Sequence, residues 1–304
     1  MTKPSHGSSR GEASEGTRAA VGAPAWMAKR TWVMILVCGS AVVTPVYSKA
    51  STGELLDQGY NDMYNLAFDD AHRCFQNWER SHPRDPMGPV SDAAAYLYSE
   101  FDRLKILQSE FFVNDNAFFR KRIGNPDPIA RRDFEAALER SEGLAEAILK
   151  QSPDDETALF ATVLRLGLHA DYTALIEKRY FASLNEVKQA RGRAEQLLAK
   201  HPDCYDGYLA IGFENYVLSL KPAPLRWLLR INGAQTDRDT GIAKLRLTAE
   251  NGHYLKPFAE LLLAVAALRD KNEREAKRLL SRLTAQFPGN QLYRDELKKV
   301  SLGT

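Results

Sequence analysis

The sequence predicts an all-α chain built of stacked helical hairpins. Apolar residues recur at three- and four-residue steps from residue 51 onward, strand-like alternation is almost absent, and four helices end in the same kind of proline turn.

The elements follow from that periodicity. Leu55, Leu56, Gly59, Tyr60 and Tyr64 fall on one face of a first helix. Phe68, Ala71, His72, Phe75 and Trp78 do the same on a second. A longer helix is expected over 92–112, with Tyr96, Leu97, Phe101, Leu104 and Leu107 in register. Residues 114–128 interrupt the pattern, punctuated by Asn125-Pro126-Asp127-Pro128. Helices then fit 129–151, 155–180, 184–200, 204–220, 238–251, 255–270, 273–286 and 291–300. The links between most of them are short, which favours antiparallel neighbours.

The proline turns are Ser81-His82-Pro83-Arg84-Asp85, Gln151-Ser152-Pro153-Asp154-Asp155, Lys200-His201-Pro202-Asp203 and Gln286-Phe287-Pro288-Gly289-Asn290. Proline cannot continue a helix, and the Asp or Asn after it can cap the next one. Twelve residues before Pro83, Pro202 and Pro288 stand Ala71, Ala190 and Ala276. Eight residues before Pro83 and Pro288 stand Phe75 and Leu280. A small residue lets two helices approach, and the large one fills the groove beside it.

This pattern resembles the tetratricopeptide repeat, whose second helix carries A-x3-F and a terminal proline. The first helix of that unit is matched by Tyr208-Leu209-Ala210-Ile211-Gly212, and in part by Leu55 and Gly59. The best single unit is 257–290, with Asp270-Lys271-Asn272 between its two helices. Steps of 70, 49 and 86 residues separate Pro83, Pro153, Pro202 and Pro288, whereas a regular array steps by about 34 residues. The fold class expected is therefore a degenerate tetratricopeptide-like helical-hairpin solenoid over 51–304, with a non-repeating helical bundle as the alternative. A narrower resemblance links 225–252 to the tetratricopeptide-repeat protein 39 and inclusion-body-clearance family. There a hydrophobic stretch, a GDR turn and a repeat helix follow in that order. Here Ala234-Gln235-Thr236 separates Gly233 from Asp237-Arg238. That family is non-enzymatic, which is what the resemblance implies for this chain.

The N-terminus reads as an address. Residues 1–26 are rich in Ser, Gly, Ala and charge, and are expected to stay disordered as an overhang before the true start at Met27. Lys29-Arg30, an apolar run over 31–43 and the small residues Ser48 and Ala50 give residues 27–50 the layout of an export signal, cleaved or kept as an anchor. The expected location is the periplasm or cell envelope. Cys38 sits inside the apolar run. Removing the five basic and two acidic residues before Ser48 from totals of 41 and 39 leaves 36 and 37. That balance carries no broad footprint for nucleic acid.

The motifs of chemistry are missing. The six histidines form no HExxH or Cys/His cluster, and no phosphate loop or nucleophile elbow occurs. Asp154-Asp155-Glu156 suits a helix start, and His169 and Asp171 read as a polar helix face. No catalytic residue, metal or cofactor is expected. Cys74 and Cys204 read as buried thiols. The stretch 222–231 reads as a buried helix between repeats, or else a surface-docking segment.

The function expected is a non-catalytic scaffold holding a protein or peptide partner on the concave face of the repeats. By register, Tyr60, Tyr64, Phe213 and Tyr216 face that groove, and aromatics make good anchors. The alternatives are a helical envelope hydrolase with dispersed catalytic residues, or a structural subunit of an envelope complex.

Overall fold

The computed structural model describes residues 53–107, 124–221 and 223–302. The overhang, the export signal, Cys38, the far end of the helix expected over 92–112 and most of the interruption over 114–128 lie outside the described residues. Everything described belongs to one compact unit within 49–304.

Among the described residues the chain forms twelve α-helices and no strand. They are α1 (Glu54–Tyr64), α2 (Phe68–Ser81), α3 (Met87–Arg103), α4 (Pro128–Leu149), α5 (Glu156–Asp171) and α6 (Tyr180–Lys200). There follow α7 (Tyr208–Ser219), α8 (Ala223–Ile231), α9 (Arg238–Asn251), α10 (Lys256–Arg269), α11 (Glu273–Gln286) and α12 (Gln291–Leu302). The fold is all-α.

Packing pairs most helices with their sequence neighbours. The hairpins are α1 with α2, α3 with α4, α5 with α6, α7 with α9, and α10 with α11. Each hairpin's second helix also packs on the first helix of the next, and α1 touches α3 as α3 touches α5. α8 is an insertion between the two helices of the fourth hairpin. Glycines set the closest approaches. A Cβ on Gly241 would stand 2.6 Å from the backbone nitrogen of Tyr216, and one on Gly212 would stand 2.9 Å from that of Leu245. α7 and α9 therefore meet backbone to backbone. In the first hairpin Phe75 fills the space that a Cβ on Gly59 would need.

The four proline turns are alike in structure. Each closes with a backbone bond from the residue two past proline to the residue before it: Asp85 to His82 at 3.0 Å, Asp155 to Ser152 at 3.0 Å, Cys204 to His201 at 3.1 Å, and Asn290 to Phe287 at 3.0 Å. His82, His201 and Phe287 share nearly the same backbone, outside the α region that a following proline disfavours. Ala71, Ala276, Phe75 and Leu280 are fully buried, and Ala190 nearly so. Where proline carries no alanine twelve residues ahead, Ser141 takes the buried place and its hydroxyl donates to Pro86 O at 3.0 Å. The irregular proline steps have two visible causes. α8 lengthens the fourth hairpin, and α9 ends at Gly252 with no proline. There the Asp206 carboxylate accepts from the backbone N–H groups of His253, Tyr254 and Leu255 at 2.9–3.1 Å and starts α10.

The two ends of the described array meet. Asn290 Nδ2 donates to Tyr64 O at 2.8 Å, and Gly289 N donates to Asn65 Oδ1 at 3.0 Å. The Tyr64 hydroxyl donates to Tyr254 O at 2.9 Å, and its ring lies 5.4 Å from that of Phe287. Tyr60 stacks on Tyr254 with centroids 4.5 Å apart. The first hairpin thus rests on the loop before α10 and on the turn before α12. The stretch Glu156–Ile176 is long and apolar enough to cross a membrane, yet most of it is buried in the protein as the central helix.

Three expectations need correction. The helix expected over 92–112 begins at Met87, whose N–H is held by Asp85 Oδ1 at 2.8 Å, and ends at Arg103. Pro89 is tolerated there because the first helical turn needs no donor. The helix expected over 155–180 stops at Asp171 and runs into a π turn over Tyr172–Ile176. α8 is not buried. Leu229 packs with Leu218 and Ala234, but Trp227 is 66% exposed, Leu228 51% and Ile231 62%. One side of this short helix meets the protein and the other meets solvent. Cys74 and Cys204 are half-buried free thiols, and burial pushes the Cys204 thiol up to about 12, so it stays protonated and unreactive.

Candidate functional site

The first helices of the hairpins face a common interior. Turning inward from α1, α3, α5, α7 and α10, their side chains leave two apolar lobes of about 90 and 110 Å³. Tyr60, Tyr64, Leu164 and Leu209 line the first lobe, and Phe101, Leu175, Tyr216 and Val265 the second. Asp171, Phe213 and Phe258 line both, so they form the boundary that the two lobes share.

All four aromatic residues expected on the concave face line this space. Tyr60 and Tyr64 stand on the first lobe, Tyr216 on the second and Phe213 on both. Three of them are locked into packing: Tyr60 is 4% exposed, Tyr64 2% and Tyr216 2%. Ser91 Oγ donates to the Tyr60 hydroxyl at 3.0 Å, and the Tyr64 ring meets Tyr98 edge-on at 5.9 Å. Phe213 is half-buried and is the one of the four with substantial surface open to the cavity.

Asp171 is the exceptional group. Enclosed by protein, it still keeps accessible surface, because it faces empty cavity rather than packed side chains. No described group bonds to its carboxylate. Burial alone pushes this acid up to about 7. The π turn begins at the next residue, with Glu177 N donating to Tyr172 O at 3.1 Å, and such turns often accompany functional sites. Burial, and then the neighbouring Tyr293 and Asp171, hold the Tyr98 phenol well above its usual value.

The other acids of the interior contrast with it. Asp206 is saturated by three backbone donors, and its role is to start α10. Glu214 is fully buried but meets Arg191 Nε at 2.9 Å and the N–H of Gln235 at 3.1 Å. Glu260 pairs with Arg282 at 3.3 Å. Histidines pair with acids away from the cavity. His169 Nδ1 lies 2.6 Å from Glu186, His72 Nδ1 2.5 Å from Asp92, and His253 Nε2 2.7 Å from Asp57. Among the described residues no three metal-ligating side chains converge.

His169 and Asp171 part ways, as their spacing predicts, but Asp171 turns inward rather than to solvent. The signal was present in the sequence. Leu164, Gly167, Leu168 and Asp171 recur at helical steps, so the acid falls on an apolar face. Compared with protein-family models, curated proteins and solved structures, the chain matches none of them.

Proposed function

We propose that this chain is a non-catalytic binding protein of tetratricopeptide-like build that holds an apolar ligand, or the apolar end of a partner peptide, on the inner face of its helices. The carrying observation is the adjacent pair of apolar lobes with one unpartnered carboxylate on their shared boundary. Ligand sites combine an apolar wall with a few placed polar groups. Five hairpins with alternating inner and outer helices, and four like proline turns, support the repeat-like build. Contact between the first hairpin and the 253–255 and 287–290 segments favours a short ligand over a long peptide laid along an open groove.

The test is fluorescence titration of the exported part with N-phenylnaphthylamine, a neutral dye that brightens in apolar surroundings. Saturable binding with one dye per chain is expected, weakened about tenfold or more by Phe213→Ala in a variant that still melts cooperatively. A folded protein that leaves the dye dark, or dye binding untouched by Phe213→Ala but abolished by Trp227→Lys on α8, contradicts the proposal.

A further inference from the structure

We infer that the ligand carries a protonated amine on its apolar body, with the ammonium seated against Asp171 between Phe213 and Phe258. This inference rests on the cavity being the binding site. Asp171, Phe213 and Phe258 are the residues common to both lobes, so a group placed among them leaves room for an apolar body on either side. An ionised carboxylate only accepts hydrogen bonds, and no described donor reaches this one. A ligand can therefore supply the donor, and an ammonium supplies charge as well. Phe213 and Phe258 bring aromatic rings to the same boundary, and a ring face attracts a cation that has shed its water.

The groups around Asp171 leave that role open. From α1 and α3 come Tyr60, Tyr64 and Tyr98, which are phenols with raised pKa values and remain neutral. Asp206, beside the first lobe, has its oxygens taken by backbone donors. Tyr216 from α7 lines the second lobe, together with Lys221 and Arg269, and neither cation bonds to Asp171. Among the described residues this acid has no positive partner, and an ammonium would supply one. Because burial alone holds Asp171 near 7, amine binding strengthens as pH rises through that value and the carboxyl gives up its proton.

Two sources present such a group: an alkylamine, and the free amino terminus of an apolar peptide. Displacement of N-phenylnaphthylamine by decylammonium, decanol, decanoate, and trileucine amide with a free or acetylated terminus separates them. Decylammonium or free-terminus trileucine is expected to compete about tenfold better at pH 8 than its uncharged counterpart. Asp171→Asn should erase that preference. The stronger of the two amines identifies the source. Equal competition by decylammonium and decanol, or decanoate competing best and improving toward pH 6, overturns the amine while leaving the cavity intact. Failure of the dye itself to bind overturns the cavity reading beneath it.

Discussion

Asp171→Asn is expected to raise the melting temperature at pH 8 by about 5–10 °C in the unliganded protein. The sign follows from proton binding. Burial pushes the folded Asp171 acid up to about 7, against 3.8 for the free side chain. Between those values the folded state holds a proton that the unfolded state has released, so stability falls as pH rises through the window. Above 7 the cost is fully present, on the order of 2–4 kcal/mol, and asparagine removes it. The advantage of the variant should shrink toward zero near pH 4, where the unfolded acid is protonated as well. Thermal melts of both proteins from pH 4 to pH 8 test this. A variant that is less stable at pH 8 would mean that Asp171 is satisfied in the folded protein. Paired with the loss of amine preference, a stabilising Asp171→Asn would mark a residue retained for binding at the expense of stability.

Tyr64→Ala is expected to cost about 3–5 kcal/mol, measured by guanidinium unfolding. Tyr64 joins the two ends of the described array. Its ring is buried against Tyr98 and Phe287, and its hydroxyl holds Tyr254 O. Tyr64→Phe keeps the packing and loses only the hydroxyl contact, so about 1 kcal/mol is expected. Hydrogen exchange should show the loss concentrated in α1 and in the 252–255 and 287–290 segments. A cost below about 1 kcal/mol for the alanine variant would show that these contacts do not hold the ends together.

Much of the helical frame is legible in the sequence because periodicity and caps are local. α9 and α11 have the boundaries expected, Asp237 and Asn272 accepting N–H bonds from Thr240 and Glu275 at their starts. The proline turns reveal which helices are outer ones. The closure is not legible, since Tyr64, Tyr254 and Asn290 are far apart in sequence and no local pattern pairs them. α8 misled for a related reason. Its apolar residues look like core, but a helix of nine residues has one neighbouring face to fill, and Trp227, Leu228 and Ile231 fall on the other. The candidate site was half visible. Register brought Tyr60, Tyr64, Phe213 and Tyr216 to the inner face, whereas Asp171 was read as polar surface because an acid ordinarily is. Only the depth of α5 in the fold shows that this one is enclosed.

The most direct measurement is a crystal structure of the protein grown with 10-bromodecylammonium, with the bromine located by anomalous scattering and the amine by density. The account places the ammonium beside Asp171, between Phe213 and Phe258, and the bromine within one of the two lobes. Bromine found only against Trp227 and Ile231 on α8, with both lobes empty, would contradict it.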